Sequence, residues 1–220
     1  MAASRRLAFA TAVRVLPKHL KAWRNLAAID YQLGEIDAAV EEFEHVVTEA
    51  PDDTSTYRML GVIYLGLQRH DDAVRCFQEV LAVGEHRGAL INLATTFVQQ
   101  DRPEEARQVL QRAIEQDSEC FECHYNLGNL LWSAEEFPAA REQFEKAVEL
   151  NAADVDARFN LAVTYLALDE LNAALPLLEQ LSSERPDDGV VWRELGRIYA
   201  LQSRIEESEA AYDKAISLGQ

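Results

Sequence analysis

The stretch AWRNLAAIDYQLGEIDAAVEEFEHVVTEAP, residues 22–51, reads as two amphipathic segments with a polar turn between them. Its landmarks are Leu26-Ala27 in the first segment, Ala39, Phe43 and Val46 in the second, and Pro51 after it. Working outward, leucine followed by a small residue returns at Leu60-Gly61, Leu93-Ala94, Leu127-Gly128, Leu161-Ala162 and Leu195-Gly196, in steps of 34, 33, 34, 34 and 34 residues. In each second segment a small residue recurs (Ala39, Ala73, Ala106, Ala140, Ala174, Ser208), with a large one four places later (Phe43, Phe77, Leu110, Phe144, Leu178, Tyr212). Three residues further on stand Val46, Val80, Ala113, Ala147, Leu181 and Ala215. Chance does not hold this register six times. The small residues let two helices approach closely, and the large residue fills the gap between neighbouring units. Pro103 and Pro138 fall near the starts of second helices, where a missing N–H costs little, and Pro51 and Pro186 fall after them.

This pattern resembles the tetratricopeptide repeat (TPR), whose motif is W-x2-L-G-x2-Y…A-x3-F…P. The residues that carry it are AWRNLA, AAVEEF and AP within 22–51, and VWRELGRIY at 191–199. The resemblance covers nearly the whole chain. It implies an all-α, right-handed superhelical solenoid with units at 20–53, 54–86, 87–120, 121–154, 155–188 and 189–220. Residues 1–19 match the second helix of a further, partial unit, through Phe9, Ala12 and Pro17. Three places depart from the pattern. Asp30 occupies the usual aromatic place beside Tyr31, unit two is one residue short around Gly84, and Pro176 lies inside a second helix. A half unit at the start and no polar capping helix at the end point to a fragment of a longer array, or to ends that self-associate.

Composition bounds the function. Thirty-eight acidic against 21 basic residues give a formal charge of −17 over 220 residues, which argues against nucleic-acid and anionic-membrane partners. No apolar run reaches membrane-spanning length and no signal-peptide core is visible, so cytoplasm is the default compartment. Three cysteines are too few for a disulfide scaffold, and their odd number fits a reducing compartment.

The run C-F-E-C-H at 120–124 has the form of a c-type haem attachment site. In register, however, Cys120 closes unit three, Cys123 is the third residue of unit four, and His124 takes the place of Trp23 and Trp192, which packs against the adjoining helix. The haem reading loses to that register. Zinc lacks a second ligand pair, since Cys76 lies in another unit and reads as core beside Phe77. No phosphate loop, nucleophile elbow or H-E-x-x-H is present. Paired acids such as Glu104-Glu105 and Glu135-Glu136 fall where they complement helix dipoles. No cofactor, metal or catalytic constellation is expected.

In the TPR family the first helix of each unit lines a concave groove. Projected onto this chain, those positions place Lys21, Arg24, Asn25, Gln32 and Arg58 at one end and Arg193, Glu194 and Arg197 at the other. Between them come Ile91, Asn92, Val98, Tyr125, Asn126, Asn129, Trp132, Phe159, Asn160, Val163 and Leu166. The groove positions carry five basic residues against three acidic ones (Glu122, Asp156, Glu194), a net of +2 on a chain of −17. Asn25, Asn92, Asn126 and Asn160 share one register position, each offering donors and an acceptor to a peptide backbone. This is similar to the asparagine-lined TPR superhelix of O-linked GlcNAc transferase. The Lys/Asn set of a chaperone carboxylate clamp is not matched, because Tyr125, Val190 and Glu194, or alternatively Ala28 and Met59, stand where it needs other residues.

The reading is a non-catalytic protein-interaction scaffold that holds a partner peptide in its groove. Tyr125, Trp132 and Phe159 would supply apolar anchoring, the asparagines would bond the backbone, and the terminal arginines would favour acidic ligand residues. The alternative is the substrate-recruiting region of a larger enzyme such as a glycosyltransferase.

Overall fold

The computed structural model describes residues 2–84 and 86–220, with side chains from residue 3. Every regular element among them is an α-helix. In chain order these are α1 (Ala2–Val15), α2 (Leu20–Leu33), α3 (Ile36–Glu49), α4 (Thr54–Gly66), α5 (His70–Val83), α6 (Arg87–Gln99) and α7 (Pro103–Gln116). They continue with α8 (Phe121–Ser133), α9 (Phe137–Leu150), α10 (Val155–Ala167), α11 (Leu171–Glu184), α12 (Gly189–Leu201) and α13 (Ile205–Ser217). The chain forms two compact units, residues 1–112 and 113–220.

The first helix of each pair begins where the sequence supplies a side-chain cap, whereas α3, α5, α9, α11 and α13 begin without one. Asp53, Asp154 and Asp188 accept the backbone N–H of Thr56, Ala157 and Val191, and His19 and His86 do the same for Ala22 and Ala89. Each such cap satisfies an N–H that the helix cannot and is worth about 1 kcal/mol. Each turn between paired helices is closed by one residue with left-handed backbone: Gly34 at φ +82°, then Gln68, Asp101, Glu135, Asp169 and Ser203 at φ +57° to +61°. Only the first of these is a glycine, so five turns hold a conformation that side chains disfavour.

In unit 1, α1 packs on α2, α2 on α3, α3 on α4, α4 on α5 and α5 on α6. In unit 2, α8 packs on α9, α9 on α10, α10 on α11, α11 on α12 and α12 on α13, and α10 also touches α8 and α12. The small and large residues of the pattern meet as their volumes require. A Cβ added at Gly61 would lie 2.6 Å from the Phe77 ring, at Gly128 2.7 Å from Phe144, and at Gly196 2.9 Å from Tyr212. Phe43, Phe77, Phe144, Leu110 and Leu178 are fully buried. Burying each such side chain contributes about 1.5–3 kcal/mol.

A second recurrent contact ties successive pairs together. The hydroxyls of Tyr165 and Tyr199 donate to Glu145 and Glu179 at 2.9 and 3.0 Å, and Tyr64 donates to Glu44 in the same way. Each glutamate lies 20 residues before its tyrosine. Burial, then the carboxylate, pushes the Tyr165 hydroxyl up to about 12. Arg69 and Arg204 lie over the Tyr64 and Tyr199 rings, each 4.3 Å from the centroid.

Candidate functional site

His124 decides the C-F-E-C-H question. Its Nε2 lies 3.2 Å from the Ser118 carbonyl, while Nδ1 lies 2.8 Å from Gln143 Oε1. Trp23 Nε1 donates to the Pro17 carbonyl at 2.8 Å and Trp192 Nε1 to that of Pro186 at 2.9 Å, each six residues back like Ser118 from His124. Histidine thus does the work of tryptophan at this place, and both its nitrogens face partners within the chain. The cysteines depart from the expectation of simple helix packing: Cys120 and Cys123 are joined in a disulfide. Cys76 is a buried free thiol, pushed by burial up to about 12, which makes it a core residue rather than a reactive one. No group of metal-ligating side chains occurs among the described residues.

The other candidate residues separate into three sets. In unit 2, Asn129 and Trp132 of α8 and Phe159 and Asn160 of α10 line one cavity of about 160 Å³, together with Val163 and Phe144. Asn160 Nδ2 donates to Asn129 Oδ1 at 2.8 Å and lies 3.5 Å from Tyr125 Oη. Tyr125 stacks on Phe121 with centroids 5.8 Å apart and meets Phe144 edge-on at 6.2 Å. Trp132, 40% exposed, rests edge-on against Phe137. Asn126 stands on the same helix, half-buried, outside the cavity lining. Because Asn129 uses its carbonyl oxygen and Asn160 its amide nitrogen, the pair keeps an amide donor on one residue and a carbonyl acceptor on the other. Those are the complements of a peptide unit's C=O and N–H. Sequence reasoning missed Phe144 as part of this lining. It sits on a second helix as the large residue that packs on Gly128, so its edge reaches the cavity from behind.

The second set lies at the end of unit 2, where Glu194 is almost buried and draws both arginines onto itself. Arg193 contacts Glu194 Oε1 at 3.1 Å and Arg197 contacts Oε2 at 3.6 Å. Both are therefore engaged within the chain. Leu166, read from register as a groove residue, is buried in the adjoining core. In unit 1, the third set, Arg24 is held by Asp53 at 3.1 Å and Ser55 at 3.0 Å, while Lys21 and Arg58 are exposed and Asn25 and Asn92 are half-buried. The compact, aromatic, amide-bearing site is the one between α8 and α10.

Tetratricopeptide-repeat family profiles match residues 18–86, 52–119, 89–153, 131–193 and 191–218. The chain belongs to the tetratricopeptide repeat family. Its fold is of the all-α helical-repeat solenoid class. The human Protein O-mannosyl-transferase TMTC3 is 25% identical over 183 residues, which is 76% of this chain and 20% of that protein. The peroxisomal targeting signal receptor of Candida albicans is 24% identical over 212 residues, covering 96% of this chain and 32% of that one. The chain thus spans a fifth to a third of the length of these relatives. Among solved structures, YrrB, described as a TPR protein with an unusual peptide-binding site, superposes with a TM-score of 0.68 at 23% identity. That match covers 84% of this TPR chain and 95% of YrrB. MamA gives 0.69 at 24% identity over 75% of this chain and 91% of its own. At these identities the likeness shows the fold. No helix among the described residues is long and apolar enough to cross a membrane.

Proposed function

We propose that this TPR chain is a non-catalytic interaction region that binds an extended partner segment at the cavity between α8 and α10. The observation that carries the reading is the cavity itself. At about 160 Å³ it is below the roughly 300–1,000 Å³ of small-molecule and cofactor pockets. It suits one apolar side chain, held by Trp132, Phe159 and Val163, with the Asn129–Asn160 pair bonding the adjacent peptide unit. Aromatic anchors of this kind dominate interface energies. Relatives named as a peroxisomal targeting signal receptor, and a structural neighbour described by its peptide-binding site, support the class of ligand. Asn25, Asn92, Lys21 and Arg58 are proposed as secondary contacts for a longer ligand. Arg193 and Arg197 would reach an acidic ligand only by sharing Glu194.

A second reading has its own support. The match to Protein O-mannosyl-transferase TMTC3 covers only 20% of that protein. In that case the same cavity recruits substrate for chemistry performed elsewhere in a longer chain. Both readings predict that binding sits at the cavity. Affinity capture with the parent chain and with an Asn126→Ala, Asn129→Ala, Asn160→Ala variant of unchanged helicity tests this. Partners lost only from the variant are expected; identical partners on both would refute the site.

A further inference from the structure

The start of α8 differs from that of the other first helices. At the other five the N-cap is an aspartate or a histidine, three residues before Ala22, Thr56, Ala89, Ala157 or Val191. At α8 the same two places hold Cys120 and Cys123. The Cys120 sulfur accepts the Cys123 N–H at 3.2 Å, the two are disulfide-bonded, and both are fully buried. Capping alone does not call for this pair, since Asp154 with Ala157 does the same work one unit later.

We propose that Cys120 and Cys123 are a reversible dithiol–disulfide switch at the N-terminus of α8. It exchanges with small disulfides and thiols of the glutathione class, and its state sets the order of the turn that carries Tyr125 and Asn126.

Three features support the switch. Cysteines spaced C-x-x-C at a helix N-terminus sit where the positive end of the helix and its unbonded N–H groups stabilise a thiolate, the attacking form in exchange. Opening the bond moves two sulfurs from bonding to non-bonded separation inside a close-packed site, and such a site has no spare volume to absorb the change. The movement therefore passes to the first turn of α8. There His124 is held to Ser118 and Gln143, and Tyr125 is stacked on Phe121 and reaches toward Asn160. Finally, Cys76 lies in unit 1 with a buried thiol and is no competitor for the pair.

The chemistry balances. In oxidation one cysteine thiolate attacks glutathione disulfide, forming a mixed disulfide and releasing one glutathione thiolate. The second cysteine thiolate then displaces the other glutathione. The protein loses two electrons and two protons, and two glutathione thiols are formed; reduction is the reverse. Burial means that exchange proceeds through opening of residues 117–123, so it is slow but two-way. Any bearing on partner binding rests on the α8–α10 reading above, whereas the switch itself does not.

The test therefore uses no partner. The full chain is equilibrated from both the oxidised and the reduced side in glutathione buffers spanning a cytosolic to an endoplasmic-reticulum poise. It is then quenched in acid, unfolded, labelled with N-ethylmaleimide and weighed. Two species differing by two labels are expected to interconvert within that range, with Cys76 labelled in both. Hydrogen exchange at residues 123–126 is expected to be at least tenfold faster in the dithiol form. A Cys120→Asp, Cys123→Ala variant carries the cap of the following unit, and Cys120→Ser, Cys123→Ala serves should the carboxylate not be accommodated. Either should fold and exchange hydrogen at a rate independent of poise. A pair locked in one state throughout, absence of exchange from either side, or equal hydrogen exchange in the two forms would overturn the proposal.

Discussion

The place that holds Tyr165 and Tyr199 in unit 2 holds Asp30 in α2 of unit 1. The tyrosines are half-buried and pass their hydroxyls to Glu145 and Glu179. Asp30 is fully buried and takes both oxygens' worth of bonding from one arginine: Arg6 Nε at 2.6 Å and Nη2 at 2.8 Å. At α2 the polarity of the contact is thus reversed, with the acid on the first helix and its partner on the helix before, while Tyr64 of α4 keeps the usual sense. The reversal has a consequence one helix away. Glu42 of α3 is raised to about 7, first by burial and then by the Asp30 charge, with Arg6 opposing. The same register place in unit 2 holds Gln143, which has no charge to lose and bonds His124 instead. The repeat fixes where a side chain stands and how large it is, while the chemistry at that place is renegotiated with each neighbour.

The largest effects should come where the two units agree. Gly61→Val and Gly128→Val each force a branched side chain into an aromatic ring and should each destabilise by about 3 kcal/mol. Urea denaturation measures both, and tolerance of either would break the claim that residue volume sets the register. Next, Arg6→Ala leaves a fully buried carboxylate without its partner. It should lower the denaturation midpoint more than Tyr165→Phe, which loses one exposed hydrogen bond worth about 0.5–1 kcal/mol. Equal effects would show that the charged version is no more demanding than the neutral one.

Glu42 separates the units by pH. Its folded pKa lies above its unfolded one, so its contribution favours the fold most below about pH 4.5 and is lost as pH rises toward 7. Allowing for solvent screening, the loss is about 1 kcal/mol. Glu42→Gln, which imports the residue found at Gln143, removes that titration, so the parent-minus-variant stability difference should fall by about 1 kcal/mol as pH rises across the window. A difference that stays flat with pH would contradict the assignment. The smallest effects concern the turns. Glu135→Gly should gain up to about 1 kcal/mol and Gly34→Ala should lose about as much, since both residues have left-handed backbone. Thermal melts of the two variants moving in opposite directions are the expected result.

Much of the fold was legible because packing is written in residue volume at fixed spacing. Leu-Gly pairs, the aromatic after a small residue, and prolines at helix boundaries all announce themselves. So did the equivalence of His124 with Trp23 and Trp192. The site was legible only in part. Asn129, Trp132, Phe159 and Asn160 come together as their register positions imply, because they share the exposed faces of two adjacent first helices. Three things were hidden. Phe144 joins the cavity edge from a second helix, Arg193 and Arg197 pair with Glu194 while staying exposed, and Cys120 bonds Cys123. Each depends on which of several reachable partners a side chain selects, and spacing does not fix that choice. The left-handed turns at Gln68, Asp101, Glu135, Asp169 and Ser203 were equally silent, because the residue types there are not glycine.

The central claim, that the α8–α10 cavity receives a partner segment, is tested most directly by site-specific photocrosslinking. A photoreactive phenylalanine is placed at Val163, in the cavity lining, and in parallel at the exposed Glu142 of α9. After irradiation in cell extract, the account predicts discrete peptide adducts from position 163 that are absent from position 142 and abolished by Asn160→Ala. Adducts from position 142 alone, or adducts from 163 that persist unchanged in Asn160→Ala, would contradict it.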